Sequence, residues 1–349
     1  MFYIIDEMKE WQEKLSTFEN RDVYYDYNYA SLFSKVEKAY GVRAAYIESN
    51  NGKVIYPFIL RKLDIELGNS KDIFDIVTPY GYGGPLVEGS QKVKKEFREE
   101  FEKYCKRQNI ITETIRFHPL LKNYEDWKNY LKVDYIRKTT AVNLTLPIEE
   151  VKKSFSKMNK RNIKKAHKND LVAFEAKKTR ENINIFIKMY EETMDKNDAI
   201  NYYYFSHDYF NKQLLDSEFY RTKLLFVEYN NEVVAGLILL LGNKFAHYHL
   251  GASKKEMLNL RPNNLLFDYM IEVAKYEGCH ILHLGGGYAE DDGLFKYKSS
   301  FTDNYNFDYY LGKKVFNKEL YEEVNTQMEK EYELNSTYFP KYRGILQED

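Results

Sequence analysis

The sequence predicts a two-domain protein of the α/β class, and three observations support this prediction. The chain has 349 residues, a length that suits two domains of ordinary size better than one core. Residues 42–117 and 222–284 present the same order of elements: three apolar strands, a helix and a further strand. In both segments an Asn-Asn pair, at 50–51 and at 230–231, separates the first two strands, as a tight hairpin requires. A repeat of this kind predicts two like domains with a functional cleft.

Each element of the first copy follows from its residue pattern. Runs of apolar and β-branched residues predict strands at 42–49, 54–60, 72–77 and 112–117. Helical spacing of apolar residues predicts helices at 8–18, 29–39 and 91–107. A short helix near 124–131 and a strand at 138–145 lead to Pro147, which favours the start of a helix.

The second copy begins with a basic helix at 157–168 and a strand at 171–176. Further helices are predicted at 180–194, 206–215, 263–276 and 294–301. Further strands are predicted at 222–229, 232–241, 244–250, 280–284 and 305–311. Because no low-complexity linker separates the copies, we place a tight domain junction near Pro147, with domains of residues 1–148 and 149–349.

Composition excludes several classes of protein. With 44% hydrophobic and 30% charged residues, the chain is predicted to be globular, and its longest apolar stretch, 233–241, is too short to cross a bilayer. The N-terminal segment lacks the parts of a signal peptide, and two cysteines suggest buried thiols, so we expect a cytoplasmic protein. A net charge of −1 gives no general attraction to DNA. The histidine spacing predicts no metal site.

The strongest local signal follows the strand at 280–284. Gly285, Gly286 and Gly287 allow the backbone to approach a ligand and present N–H groups, although a flexible strand exit would also use glycines. Lys296 and Lys298 come shortly after, in an aromatic setting. A cation beside such donors can stabilise an oxyanion, while solvated lysines are the simpler interpretation of the residues alone.

Three further features of the sequence each allow two interpretations, a binding role or an ordinary structural role. Residues 151–168 contain eight basic residues and no acidic one. Asn263 opens a helix, where free N–H groups favour an anion, unless the residue is an ordinary cap. Arg116 and His118 end the first-copy strand that matches the glycine run, so they either face a cleft or form structural hydrogen bonds.

These motifs together resemble the second domain of the Fem-type aminoacyltransferases, which build peptidoglycan interpeptide bridges. The resemblance rests on Arg-Pro-Asn-Asn-Leu-Leu at 261–266, Leu-Gly-Gly-Gly at 284–287 and Lys-Tyr-Lys-Ser-Ser-Phe at 296–301. The basic helix and the strand ending in Gly-Ala-Ser also resemble family segments. In the first domain the best match is Gly-Pro-Leu-Val-Glu at 84–88. The resemblance implies two tandem GNAT-like domains, each a twisted mixed β-sheet flanked by helices.

The resemblance also implies roles for particular residues. Lys298 matches the family lysine that stabilises the tetrahedral intermediate of acyl transfer, and Tyr297 matches the aromatic residue whose backbone helps to form the oxyanion site. The candidate substrate contacts are Tyr80, Tyr82, Glu88, Arg116, His118, Tyr204, Tyr248, Asn263, Gly285 and Gly286. The basic helix would bind tRNA or phosphate, unless it is a solvated face; its candidate residues are Lys157, Lys160, Arg161, Lys164 and Lys165.

The implied reaction moves an aminoacyl group onto an amine of a peptidoglycan precursor or a related small molecule. The donor, expected to be aminoacyl-tRNA, is a co-substrate, and no permanently bound cofactor is expected. Residues 203–209 lack the arginine that grips a nucleotide diphosphate in the family, and helices 180–194 and 206–215 are too short for a coiled-coil arm. Pro-Asn-Asn at 262–264 replaces the usual GNAT pyrophosphate loop. Two alternatives remain: an acyl-CoA-dependent N-acyltransferase acting on an amino sugar or amino acid, and a non-catalytic binding module with the twin fold.

Overall fold

The computed structural model describes residues 1–37, 39–65 and 72–346, and the chain divides into two compact units. Unit 1 comprises Met1–Ile136 and Tyr309–Asp349, and unit 2 comprises Arg137–Asp308. The expected domains, 1–148 and 149–349, therefore differ from the compact units at both ends of unit 2. The reason is hydrogen bonding: residues 140–143 pair with a strand of unit 2, and residues 311–315 pair with a strand of unit 1.

Thirteen strands and eleven α-helices lie in the described ranges. The strands are β1 (Phe2–Ile5), β2 (Gly41–Ser49), β3 (Gly52–Lys62), β4 (Phe74–Val77), β5 (Leu86–Gly89), β6 (Ile110–Arg116), β7 (Lys132–Asn143), β8 (Val172–Ala176), β9 (Arg221–Tyr229), β10 (Glu232–Leu241), β11 (Phe245–Ser253), β12 (Ile281–Gly285) and β13 (Asn306–Val315). The helices are α1 (Met8–Ser16), α2 (Tyr27–Val36), α3 (Gln91–Arg107), α4 (Tyr124–Trp127), α5 (Ile148–Ser154), α6 (Lys157–Lys168), α7 (Arg180–Lys196), α8 (His207–Gln213), α9 (Pro262–Tyr276), α10 (Gly293–Ser299) and α11 (Lys318–Met328).

The two units repeat one sheet topology. In unit 1 the strand order is β1-β2-β3-β4-β6-β13, with β5 added beside β3. In unit 2 the order is β7-β12-β11-β10-β9-β8. Neighbours are antiparallel except for one parallel pair in each unit, β4 with β6 and β11 with β12. A helix connects each parallel pair, α3 in the first and α9 in the second, as a parallel crossover requires. The predicted duplication and the α/β class are confirmed.

The two Asn-Asn hairpins have the same length and different backbone geometry. Both turns contain two residues, between Ser49 and Gly52 and between Tyr229 and Glu232. Asn230 and Asn231 have φ angles of 51° and 64°, as a type I′ turn needs. In the first hairpin the positive φ lies on Gly52 instead, and a Cβ there would lie 2.3 Å from the Glu88 carbonyl oxygen of β5, so the position requires glycine.

Each unit has its own apolar core against the crossover helix. In unit 2, the buried face of α9 packs against β10, whose apolar run is buried on both faces, as expected of an interior strand. In unit 1, Phe97 and Phe101 of α3 stack with ring centroids 5.5 Å apart. Burial of each large apolar side chain stabilises the fold by roughly 1.5–3 kcal/mol. The two cysteines, Cys105 and Cys279, are buried and not disulfide-bonded.

None of the helices in the described ranges is long and apolar enough to cross a membrane.

Candidate active site

A gap opens in the unit 2 sheet where β11 and β12 stop pairing. The parallel register covers only three residue pairs, from Phe245 with Ile281 to His247 with His283. Beyond this point β11 continues to Ser253, while β12 ends at Gly285. Ligands of α/β proteins commonly bind beyond the carboxyl ends of parallel strands. The chain turns that follow β12 and the extended end of β11 enclose a cavity of about 580 Å³.

The cavity is lined mainly by aromatic and aliphatic side chains. Four aromatic rings line it, from Tyr248, Phe267, Tyr288 and Tyr297. The remaining lining residues are Thr193, Met194, Lys196, Asn197, Gly236, Leu237, Gly251, Ala252, Ser253, Leu258, Asn263, Leu266 and Leu294. No carboxylate is among these residues, all of which belong to the described part of unit 2. Such a lining suits a ligand that is largely apolar with a few polar groups.

Lys298 is a buried cation beside this cavity. Its side chain is 6% exposed, and its Nζ donates a hydrogen bond of 2.8 Å to the Gly286 carbonyl oxygen. The same Nζ lies 5.3 Å from the centre of the Tyr248 ring, which lines the cavity. Burial lowers the pKa of Lys298 to about 8, against the opposing attraction of Asp292. The lysine is therefore mostly charged at neutral pH and able to stabilise an oxyanion, whereas Lys296 is exposed to solvent.

The glycines at 285–287 leave space for neighbouring groups that pack against the loop after β12. Gly285 has a φ of 75°. A Cβ on Gly286 would lie 2.9 Å from the Lys138 carbonyl oxygen, and a Cβ on Gly287 would lie 1.9 Å from an Asp292 carboxylate oxygen. The glycine run therefore has a structural reason as well as a place in the site.

Asp292 and Arg137 hold this loop from two sides. The Asp292 carboxylate accepts hydrogen bonds from the N–H groups of Tyr288 (2.6 Å) and Ala289 (3.0 Å), and it caps α10 through the Phe295 N–H at 2.8 Å. Burial opposes its charge, but these N–H donors lower the pKa of Asp292. Arg137 donates to the carbonyl oxygens of Gly287 and Tyr288, at 2.5 and 2.6 Å. Since Asp292 uses the nearest loop N–H groups, Lys298 is the leading candidate to contact an oxyanion.

A buried amide network fixes the end of α10. Asn159, in the first turn of α6, donates to the Ser300 hydroxyl at 2.7 Å and accepts from the Asn264 side chain at 3.0 Å. The Ser300 hydroxyl in turn donates to the Tyr297 carbonyl oxygen at 2.5 Å. Asn159 is 3% exposed, so breaking this network would leave buried groups unpaired. The basic helix is therefore bonded to the helix that carries Lys298.

The rest of α6 presents its cations to solvent. Six exposed Lys and Arg side chains lie on α6, and within the described ranges none of them forms an ion pair; they are Lys157, Lys160, Arg161, Lys164, Lys165 and Lys168. By contrast, Lys152 on the preceding helix pairs with Asp268 and Glu272. An unneutralised helix face is the pattern expected of a phosphate-binding surface.

Few backbone N–H groups are free at the start of α9. Pro262 at the first helical position has no N–H, and the N–H groups of Asn264 and Leu265 both donate to the Arg261 carbonyl oxygen. The Asn263 side chain donates to the Ser253 hydroxyl at 3.1 Å. This start offers few of the backbone donors that bind a pyrophosphate at a helix N-terminus.

Residues 153–299 match the sequence profile of the family described as acetyltransferase (GNAT) domain. The match runs from α5 through α10 and contains the cavity, α6 and Lys298. The chain is an acyltransferase whose residues 153–299 contain a GNAT domain.

Solved structures show that the likeness in fold extends beyond the profile match. FemX, 13% identical, aligns over 92% of this chain and 99% of its own with a TM-score of 0.69. L-PGS from Bacillus licheniformis, 11% identical, aligns over 88% and 91% with a TM-score of 0.56. A tandem GNAT protein from the clavulanic acid biosynthesis pathway, 8% identical, aligns over 91% and 99% with a TM-score of 0.50. No protein of curated function matches in sequence. The acyltransferase thus has the tandem GNAT fold of Fem-like proteins.

Unit 1 of the acyltransferase gathers four of the predicted contacts around buried aromatic residues. His118 is buried, and its Nε2 lies 2.8 Å from an Asp22 carboxylate oxygen. Tyr82 contacts His118 with ring centres 6.1 Å apart. Arg116 donates to the Thr78 carbonyl oxygen at 2.8 Å, and the Tyr80 carbonyl accepts a hydrogen bond from the Tyr29 hydroxyl. These contacts are structural within unit 1, and acceptor binding by the four residues remains a prediction.

Two predicted substrate contacts, Tyr204 and Glu88, belong neither to the unit 2 cavity nor to the four residues gathered in unit 1. Tyr204 is 41% exposed and donates to Asp195 at 2.8 Å, and it does not line the unit 2 cavity. Glu88 on β5 forms an ion pair of 3.1 Å with Lys53 and accepts from the Glu19 N–H. Six of the other predicted residues do come together in unit 2; they are Tyr248, Asn263, Gly285, Gly286, Tyr297 and Lys298.

A larger groove of about 670 Å³ lies in unit 1 of the acyltransferase and is a weaker candidate. Its three half-buried lysines are neutralised, Lys313 by Asp134 at 2.9 Å, Lys314 by Glu102 at 2.9 Å and Lys341 by Glu329. None of these cations is available to stabilise charge that develops on a substrate.

Sequence reasoning missed three residues of the acyltransferase site. Asp292 was detectable, since Asp before Gly-Leu-Phe is an N-cap signal for the helix predicted at 294–301. Arg137 and Asn159 act on segments distant in sequence, 150 and 141 residues away, and no local pattern marks such contacts.

Proposed function

We propose that this acyltransferase moves an aminoacyl group from aminoacyl-tRNA onto an amine of a peptidoglycan precursor or a related small molecule. The observation that carries the proposal is the buried cationic Lys298 beside an aromatic cavity at the sheet gap of a GNAT domain. The exposed cations of α6 and the likeness in fold to FemX support the tRNA donor.

The proposed mechanism is direct attack without a covalent enzyme intermediate. The neutral acceptor amine forms a C–N bond to the ester carbonyl carbon, and the carbonyl oxygen becomes negatively charged. The Lys298 ammonium stabilises this charge beside a largely apolar cavity, an effect of the size seen for oxyanion-hole donors. The intermediate then collapses, the bond to the ribose oxygen breaks, and the leaving hydroxyl takes up the proton that the amine releases.

The two units would divide the substrates between them. The α6 cations neutralise phosphates of the donor without regard to its sequence. Unit 1, with Tyr80, Tyr82, Arg116 and His118, is proposed to recognise the acceptor, and Glu88 would contribute if its ion pair with Lys53 opens. No metal takes part in this scheme, and the donor is the only co-substrate.

An acyl-CoA donor is the second candidate, because the matching profile is that of GNAT acetyltransferases. The closed start of α9, with Pro262 and two N–H groups already used, argues against pyrophosphate binding at that helix. The acceptor in this case would be an amino sugar or an amino acid.

The donor is tested by direct comparison of labelled substrates. The purified full chain is incubated with radiolabelled aminoacyl-tRNA or acyl-CoA and a panel of amines that includes nucleotide-linked muropeptides, and labelled amide product is measured. Product from aminoacyl-tRNA alone supports the proposal. Product from acyl-CoA alone establishes the second candidate, and no product from either donor supports a binding module.

The basic helix offers a sharper test of the tRNA donor. The double variant Lys160→Gln/Lys164→Gln should weaken tRNA binding and lower the slope of log affinity against log salt by roughly 1.5–2. A matched control is Lys95→Gln/Lys103→Gln on α3, where both side chains are at least 64% exposed. Equal salt slopes for the two double variants would remove α6 from the donor site.

A further inference from the structure

The Tyr297 hydroxyl is buried at the cavity and unsatisfied. Tyr297 lines the cavity, and its hydroxyl oxygen has no hydrogen-bond partner among the residues that the structure describes. Its ring is held by Phe267 and Phe301, with centres 5.2 and 5.5 Å away. A buried hydroxyl without a partner destabilises the fold, so this hydroxyl is available to a ligand group that completes its hydrogen bonding.

The charges around the cavity restrict what that ligand group can be. The lining includes Lys196 and no carboxylate, and the Lys298 ammonium lies next to Tyr248. A cationic ligand group would meet these positive charges with no carboxylate in the lining to offset them, so a neutral group is favoured. Burial raises the pKa of Tyr297 well above its usual range. The hydroxyl stays protonated, and it can both donate and accept a hydrogen bond.

The position of Tyr297 relative to Lys298 points to a group close to the reacting carbonyl. The two residues are consecutive on α10, and both approach Tyr248: the Lys298 Nζ lies over its ring, and Tyr297 interacts with it electrostatically. If Lys298 holds the carbonyl oxygen of the transferred group, the Tyr297 hydroxyl is a candidate partner for a polar substituent of the same group. In an aminoacyl group that substituent is the α-amine.

We propose that the Tyr297 hydroxyl binds the neutral α-amino group of the transferred aminoacyl residue. The proposal rests on the proposed function and names its substrate class: acyl groups with an α-amine and an uncharged side chain. The side chain would occupy the aliphatic part of the cavity formed by Met194, Leu237 and Leu258. Lysyl and arginyl groups are disfavoured because no carboxylate lines the cavity to pair with them.

The test compares paired non-hydrolysable donors by calorimetric binding. The probes are 3′-aminoacylamino-3′-deoxyadenosines that carry glycyl, alanyl, seryl, leucyl or phenylalanyl groups, each paired with its counterpart lacking the α-amine. The wild-type protein should bind at least one aminoacyl probe roughly tenfold or more tightly than its counterpart. Tyr297→Phe should bind both members of that pair with equal, weak affinity.

Two controls keep the outcome decisive. Tyr297→Phe removes an unsatisfied hydroxyl, so its thermal midpoint should equal or exceed that of the wild type. Tyr276→Phe alters a tyrosine that is 89% exposed on α9 and should preserve the preference for the α-amine. The inference is overturned if Tyr297→Phe keeps that preference, or if the wild type binds no aminoacyl probe more tightly than its counterpart. Amide product from labelled aminoacyl-tRNA in either case would leave the proposed function standing.

Discussion

Each unit contains one parallel strand pair, β4 with β6 in unit 1 and β11 with β12 in unit 2. The two units differ in what lies beyond the paired residues. In unit 1 the loop after β4 fills the space beyond the pair: the Arg116 N–H donates to the Thr78 hydroxyl at 3.0 Å, and the Gly83 N–H donates to the Arg116 carbonyl at 2.7 Å. Gly83 then bridges to Phe117. In unit 2 the pairing stops after His247 and His283, and the corresponding space is the 580 Å³ cavity.

The same sheet topology therefore has different polar groups at the ends of the parallel strands in the two units. At the unit 1 end, His118 has partners within the unit in Asp22 and in Asn123. The unit 2 end keeps a desolvated cation, Lys298, and an unsatisfied hydroxyl, Tyr297. Strained or unsatisfied groups persist where function requires them. We therefore place the chemistry in unit 2, and the following predictions test that contrast.

The largest expected effect comes from Lys298→Met. Loss of the cation should lower kcat by about 10²–10³, as for removal of an oxyanion-hole donor. The same change should raise rather than lower the thermal midpoint, because a pKa reduced from 10.5 to about 8 means that the buried charge costs about 3 kcal/mol. That cost is fully present below pH 8 and disappears as pH rises towards 10.5, since only the unfolded chain then keeps the proton. Rates come from the amide-product assay and midpoints from calorimetry.

Lys296→Met is the matched control, two residues away on an exposed position of α10. It should leave both kcat and the midpoint close to wild type. If the two variants have equal kcat, Lys298 has no catalytic role and the contrast between the units loses its main support.

The next largest effect is on the pH dependence of kcat. With a pKa of about 8, Lys298 loses its proton as pH rises through 8, and a reaction that needs the cation should slow by about tenfold per pH unit above that value. Lys298→Arg stays charged throughout this range and should lack the descending limb even if its rate is lower. A limb that rises through pH 8 in the wild type and vanishes in Lys298→Arg would instead identify the neutral lysine as a base.

The helices and strands of both copies were easier to predict from the sequence than the division of these elements into two compact units. The basic helix expected at 157–168 is α6 in the structure, but the sequence pattern predicted no break between it and the helix that starts after Pro147; the Ser156 cap marks that break. The unit boundary depends on β13 pairing with β6, about 200 residues apart in the chain, and no local pattern reports such pairing. The second hairpin was predictable from Asn230-Asn231, whereas in the first the positive φ lies on Gly52, where the approach of β5 leaves room only for glycine.

The candidate site was predictable in its residue types and not in its contacts. Lys298 and the glycine run stand out in the sequence, and the structure places them within one hydrogen bond of each other. The closure of the loop by Arg137 and the unsatisfied hydroxyl of Tyr297 depend on the packing of distant segments. Residue types thus pointed to a region, and three-dimensional packing decided which atoms remain available to a substrate.

The smallest expected effect on catalysis comes from Asn123→Ala in unit 1. Asn123 is 3% exposed; its side chain accepts from the His118 N–H at 2.9 Å and donates to the Gly83 carbonyl at 2.8 Å. Its loss leaves two buried backbone groups unpaired, so the free energy of unfolding should fall by about 2–4 kcal/mol. The kcat of the folded protein should nevertheless stay within about twofold of wild type, because the change does not touch the unit 2 cavity. Asn28→Ala, at an exposed position of α2, controls for the substitution and should change neither quantity. If kcat of Asn123→Ala fell as far as that of Lys298→Met, the strand end of unit 1 would be part of the catalytic site, and the two units would share the chemistry.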